Sequence, residues 1–555
     1  MSTATPVLTQ IDAHSHLAVD TDWWRGAVIY QIYPRSFQDS NGDGIGDLGG
    51  ITQRLDYIAS LGVDAIWLSP FFTSPMKDFG YDVSDYKDVD PMFGTLADFD
   101  DLIEAVHAKG MKVLIDLVIS HTSDQHPWFV ESRDSRDNPK ADWYVWADAK
   151  PEGSPPNNWL SIFGGSAWEW DSVRCQYYLH NFLASQPDLN FHNREVQDAV
   201  LSAAQFWLDR GVDGFRLDTV NFYFHDAELR DNPPLPEGAQ LTGVETTNPY
   251  AFQHHLYDKT RPENLQFLER LRQLLDRYPG ATSVGEIGSD RDVIATTAAY
   301  TENGKRIHMA YSFDLLTPQR SAGFIRETVE GMEKGIGSGW PSWALSNHDV
   351  VRVASRWGEG AAQDRFAPLA TALLTCLRGT PCLYQGEELG LTEADVPYDK
   401  LQDPYGIRFW PKFKGRDGCR TPMPWATDNA HGGFSEAEPW LPVADTHMNR
   451  SVARQLDDEH SVLQRTKAFL IWRRGYTALL KGDLTFIDSD PETLVFIRSH
   501  EGNKVLCAFN LADIPAEIDV AGLSLFSLNA PGFSGRLDGG KLRLPGLDAY
   551  FAKVL

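Results

Sequence analysis

From residue 27 onward the chain repeats one pattern: a short run of β-branched and aromatic residues, in several cases nearly continuously apolar, then a longer stretch whose apolar residues recur at helical spacing. The runs are AVIYQIY (27–33), VDAIWL (63–68), KVLIDLVI (112–119), VDGFRLDTV (212–220), TSVGEI (282–287), MAYSF (309–313), PSWALS (341–346) and PCLY (381–384). Runs of that length without polar alternation suit strands covered on both faces, as in a parallel sheet. Helix-period segments fall between them, for instance 96–109, 194–210 and 263–278. Eight strands alternating with helices predict an α/β fold, a (β/α)8 TIM barrel.

Two intervals are too long for simple crossovers. Residues 121–188, rich in Trp, Pro, Asn and Gly, read as a subdomain inserted after the third strand, and about 386–457 as an insertion after the eighth. Beyond a helical segment at 461–480, short runs such as LTFIDSD, TLVFIRS and KVLCAFN predict a C-terminal all-β sandwich. The expected organisation is therefore an extension at 1–22, a barrel at 23–120 and 189–480, the insert at 121–188 and the sandwich at 481–555.

A length of 555 residues accommodates that arrangement, and a net charge of −27 argues against binding a phosphate backbone while suiting neutral ligands such as sugars. No window approaches the 18 or so apolar residues of a membrane span. The five cysteines (Cys175, Cys376, Cys382, Cys419, Cys507) show no metal-type spacing, and the N-terminus has neither a basic start nor an apolar signal run. A cytoplasmic protein is expected.

Chemistry concentrates where the runs end: Asp116 and His121 at the third, Arg216 and Asp218 at the fourth, Glu286 at the fifth, His348 and Asp349 at the seventh. In a barrel the C-terminal strand ends form the active face, although ion-pair networks also gather at such rims. Asp218 and Glu286 would end adjacent strands, about 4.7–4.9 Å apart. Carboxyl groups about 5–5.5 Å apart belong to retaining glycoside hydrolysis. Arg216, two residues before Asp218, shares its face and is expected to keep it ionised as a nucleophile. Glu286 would need a raised pKa to act as the acid.

The stretches DLVISH (116–121), GFRLD (214–218), VGEIG around Glu286 and SNHD (346–349) resemble glycoside hydrolase family 13, the α-amylase family, from about Trp23 to the end. The segments at 27–51, GYDVSDY (80–86) and GRDGCRTPMPW (415–425) look like its exo-acting branch of α-glucosidases and oligo-1,6-glucosidases, above all the bacterial α-glucosidases that also transfer glucose. The resemblance implies Asp218 as nucleophile, Glu286 as acid/base and Asp349 as a third carboxylate on the sugar. It implies that His121 and His348 hydrogen-bond that sugar, Arg216 orients the nucleophile, Asp78 and Arg416 clamp the far edge of the glucose, and Tyr81 stacks on it. Thr219 stands where this branch carries Val for α-1,6 cleavage, which points to α-1,4 bonds. The implied enzyme is a retaining exo-α-glucosidase on small α-glucosides, with water, sugars or alcohols as acceptors, working without an organic cofactor as a monomer or homodimer. A maltose–trehalose isomerase is the neighbouring alternative, and a non-catalytic binding relative a distant one.

Two motifs invite metal readings. In DSNGDGIGD (39–47) oxygen donors occupy alternate positions, but the twelfth position is Gly50 rather than the Glu of an EF-hand. The resemblance implies a structural Ca²⁺ or Mg²⁺ on Asp39, Asn41, Asp43, the Ile45 carbonyl and Asp47; an ion-free loop of Asx turns is the alternative. His14 and His16 in IDAHSHL form the H-x-H pair of a metal-dependent amidohydrolase. They precede the first strand, so a solvated tail is expected instead.

Overall fold

The computed structural model describes residues 20–241, 243–244, 246–288, 292–358, 362–489 and 491–555; His14 and His16 lie outside them. Eight parallel strands form the barrel: β1 (Ile29–Ile32), β2 (Ala65–Leu68), β3 (Lys112–Leu117), β4 (Gly214–Leu217), β5 (Thr282–Ile287), β6 (Met309–Ser312), β7 (Ser342–Ala344) and β8 (Thr380–Tyr384). Their order is β6-β5-β4-β3-β2-β1-β8-β7, and a parallel bridge from Ala310 to Pro341 joins the two ends. Each strand lies within the run expected for it, apart from Thr380, one residue ahead of its run. The runs at 212–220 and 341–346 overshoot, because after Leu217 and Ala344 the chain leaves the ladder and turns site residues inward.

Alternation along each strand sorts the side chains. Val113, Ile115 and Leu117 face the helices, while Leu114 packs in the barrel with Ile29, Ala65, Trp67, Val284 and Met309. Two residues further toward the C-terminal end, the same inward face carries Asp116, Arg216, Glu286 and Tyr311. An apolar layer thus floors a charged one. Trp24 packs in the same inner cluster with Trp340. The surrounding helices bury one stripe each: Leu96–Ala108 opens with a Thr95–Asp98 capping box and buries Phe99, Leu102, Ile103 and Val106.

The stretch after β3 holds a three-stranded sheet (Trp146–Ala147, Trp168–Asp171, Gln176–Leu179), anchored to the barrel by bridges His121–Asp188 and Tyr144–Leu189. After β8 the chain runs through short helical pieces, among them Pro404–Phe409 and Asp445–Met448. The C-terminal region pairs a five-stranded antiparallel sheet with a three-stranded one. Val495, Leu506 and Ala508 face Ile518 and Leu542 between the sheets, whereas Leu494, Phe496 and Phe509 join the main core with Phe469 and Leu479. Among the described residues no helix is long and apolar enough to cross a membrane.

Candidate active site

Strand register sets the centre. Leu217 pairs with Gly285, so Asp218 and Glu286 follow side by side, with the Val220 amide bonded to the Glu286 carbonyl at 2.9 Å. Between them lies the fully buried guanidinium of Arg216. It meets Asp218 at 2.7 Å, Glu286 at 2.6 Å and Asp116 at 2.8 Å. Arg216 therefore does not single out Asp218, as its place in the strand suggested; one positive charge serves three carboxyl groups. The Tyr311 hydroxyl donates to Glu286 at 3.1 Å and accepts from Arg216 at 3.2 Å. Thr219, held at φ +38°, donates its amide to Glu286 and its hydroxyl to Asp218, each at 3.2 Å.

This charge balance controls protonation. Burial pushes both Asp218 and Glu286 up to about 7, with Arg216 opposing the rise in each. In both groups this enclosure outweighs the single guanidinium, so each resists ionisation more than a free carboxyl does. For Asp349 burial also acts upward, but the neighbouring His348 ring and the guanidinium groups of Arg416 and Arg420 hold it well below the usual carboxylate range. Arg420 meets it at 2.8 Å and Arg416 at 3.2 Å.

Arg416 lines the site from the stretch after β8. It bonds Asp78 at 2.9 Å and Asp403 at 2.8 Å, so the clamp between Asp78 and Arg416 is braced from behind. Gln186 donates to Asp78 at 3.0 Å. Tyr81 lies parallel to His348, 5.3 Å between ring centres, and its hydroxyl contacts His348 Nε2 at 2.6 Å and donates to Asp116 at 3.1 Å. Asp78, Tyr81, His121, Asp218, Glu286 and Asp349 all line one cavity of about 360 Å³, as do Thr219 and Arg416. Aromatic rings of Phe163, Phe182, Phe222 and Tyr405 complete its walls.

Two expected sugar contacts, His121 and His348, have their ring nitrogens engaged by protein partners. His348 spends Nδ1 on Gln31 at 2.8 Å and Nε2 on Tyr81 and Asp349, so its ring backs the lining instead of facing the cavity. His121 lines the cavity, but its nitrogens meet Ser120 at 2.9 Å and the Tyr81 carbonyl at 2.8 Å. Burial lowers its pKa to about 4, leaving a neutral ring. Asp403, Arg420, Gln186 and Tyr311 escaped the reading of the sequence; only Arg420 lay within a motif it drew on.

The loop at 39–47 stands apart from this cavity. Asp39 accepts the amides of Asn41, Gly42 and Gly44 and the hydroxyl of Ser435, Asn41 accepts from Asp43, and Asp43 from Ile45. Asp47 caps the helix at Leu48–Gln53 through Gly50 and accepts from Ser40. Nested Asx turns thus already close the loop, and among the described residues no three carboxylate, imidazole or thiol groups converge at ligand spacing. The donor chemistry is nonetheless all hard oxygen, which suits Ca²⁺ or Mg²⁺ once Asn41 and the Ile45 carbonyl are counted.

Fold and site together define a barrel enzyme with a buried carboxyl pair. The catalytic domain of α-amylases matches residues 31–482, and the chain belongs to this family, glycoside hydrolase family 13. It is 57% identical to a probable α-glucosidase of Rhizobium meliloti, over 97% of this chain and 98% of that protein. It is 37% identical to an oligo-1,6-glucosidase of Heyndrickxia coagulans, over 90% and 94% of the two chains. Among solved structures, the α-glucosyl transfer enzyme XgtA superposes with a TM-score of 0.94 at 59% identity, over 96% of this chain and 99% of that one. The trehalulose synthase MutB of Pseudomonas mesoacidophila superposes at 0.87 with 33% identity, over 96% and 99%.

Proposed function

We propose that this chain is a retaining exo-α-glucosidase, removing terminal α-linked glucose from maltose, short oligosaccharides or glucosides, with α-1,4 bonds preferred. The observation that carries this reading is the Asp218–Glu286 pair on one guanidinium, in a cavity that the Asp78–Arg416 ion pair also lines. Set behind the terminal glucose, that ion pair would admit only a chain end.

Asp218 attacks the anomeric carbon while Glu286 gives its proton to the departing oxygen. The covalent glucosyl ester on Asp218 is then opened by water, or by a sugar or alcohol acceptor, whose proton returns to Glu286. Asp349, held ionised by Arg416 and Arg420, offers a charged acceptor to sugar hydroxyls and stabilises the positive charge that develops on the ring. Tyr81 forms the platform under the glucose, and Thr219, bonded to both catalytic carboxyl groups, sits where the bond to be cut is selected. His348 and Arg216 orient these groups from behind.

A structural Ca²⁺ or Mg²⁺ on Asp39, Asn41, Asp43, the Ile45 carbonyl and Asp47 belongs to the same reading. It would fix the loop after β1 and take no part in turnover. All five cysteines are unpaired and four are buried, in keeping with a reducing, cytoplasmic setting for a monomer or homodimer. Disaccharide isomerisation is the second reading, favoured by the likeness to trehalulose synthase, one structure of which carries sucrose as substrate.

Proton NMR during turnover of p-nitrophenyl α-glucoside tests the proposal. α-Glucose must appear first, ahead of mutarotation, with transfer products alongside. Early β-glucose would remove Asp218 as nucleophile, and a rearranged disaccharide from sucrose without free glucose would favour the isomerase.

A further inference from the structure

Away from the Asp78–Arg416 clamp, the cavity wall comes from the loops after β6 and β7, including Leu316, Thr317, Val350 and Val351. Thr317 and Pro318 also line an outer cavity of about 640 Å³, as do Gly243 and Val244, whereas the clamp residues do not. This wall therefore stands on the side where a leaving group exits and an acceptor enters.

One side chain ties the two loops together. Arg356, at the end of the short helix Val353–Arg356, donates Nε to the Thr317 carbonyl at 3.0 Å. Its Nη2 reaches the carbonyls of Leu315 at 3.4 Å and Leu345 at 2.5 Å, and its Nη1 that of Val351. The adjoining Trp357 indole donates to the same Thr317 carbonyl at 2.7 Å. Arg356 itself borders the cavity, and although the charges of Glu387 and Glu393 act on it, its hydrogen bonds among the described residues go to backbone carbonyls. Burial lowers its pKa to about 10, so it remains a cation at neutral pH. Such a planar group with five fixed donors can hold four carbonyls from two loops, a task the point charge of lysine cannot match.

We propose that Arg356 is a positioning residue for the leaving-group and acceptor side. By fixing Thr317 and Val351 against each other it shapes the space beyond the bond being cut, and so the partition of the glucosyl enzyme between water and acceptor. The inference rests on the glucosidase reading above.

The test compares three donors that share glucose but differ in leaving group: α-glucosyl fluoride, p-nitrophenyl α-glucoside and maltose. In Arg356→Met, kcat/KM for maltose and for the nitrophenyl glucoside should each fall about tenfold relative to the fluoride, and transfer products should fall relative to hydrolysis. Arg356→Lys should recover part of the loss. Val351→Ala, a change at a partly exposed side chain that spares the arginine, should shift the same ratios in the same direction by about threefold. Equal losses on all three donors would mean a merely structural role and overturn the proposal. So would a nitrophenyl glucoside that behaves like the fluoride, because the defect would then lie in proton donation by Glu286. Failure of the unmodified enzyme to cleave the fluoride would instead overturn the glucosidase reading, and this inference with it.

Discussion

Tyr311→Phe removes a single hydrogen bond from the acid/base of this site. The phenol is buried and its pKa is raised well above 10, chiefly by burial, so at any working pH it is a donor. Its bond to Glu286, at 3.1 Å, favours the ionised carboxylate. A hydrogen bond to a charged group is worth about 1.5–3 kcal/mol, and one pKa unit is about 1.36 kcal/mol, so losing it raises the pKa by about one to two units. Glu286 already stands at about 7. The acid form would then persist to higher pH, and the basic limb of the kcat/KM profile for maltose should move up by about one to two units. The acid limb, set by the pair's other ionisation, should move less. The assay is kcat/KM from about pH 5 to pH 10 for both proteins. A basic limb that stays within about 0.3 unit, or moves down, would refute the reasoning and place the working proton elsewhere.

Three further outcomes follow from the same geometry. Glu286→Gln should be nearly inactive yet more heat-stable at pH 8: the folded pKa of about 7 lies above the ordinary glutamate value of 4.5, so the ionised form destabilises the fold above pH 7 and the penalty vanishes as pH falls below 4.5. A gain of about 2–5 °C in melting temperature at pH 8, shrinking toward pH 5, is expected in calorimetry; a gain that does not depend on pH would contradict the cause given. Thr219→Val removes the hydroxyl bonded to Asp218 and should raise the ratio of isomaltose to maltose cleavage about tenfold, and an unchanged ratio would strip Thr219 of its part in selectivity. Prolonged chelation should lower the melting temperature by a few degrees while leaving turnover at 25 °C intact; lost turnover with unchanged melting would contradict a structural ion.

The chain's own pattern determined a good deal. Near-continuous apolar runs specify strands covered on both faces, and eight of them separated by amphipathic helices leave few architectures open. Because side chains alternate along a strand, the positions two apart in GFRLD had to share a face, which by itself puts Arg216 beside Asp218. The carboxyl groups at the ends of β4 and β5 were legible for the same reason. What the pattern could not determine was which groups from distant loops converge on them. Asp403 and Arg420 come from beyond β8, Gln186 from the insert after β3, and Tyr311 from β6, and no local period links them to the residues they hold. Nor could it assign protons. The spacing of Arg216 and Asp218 suggested a simple ion pair, but the fold gave that guanidinium to Glu286 and Asp116 as well. It also spent both nitrogens of His348 on protein partners. Acidity and hydrogen-bond availability depend on how many groups share one enclosed space, and only the closing of the barrel creates that space.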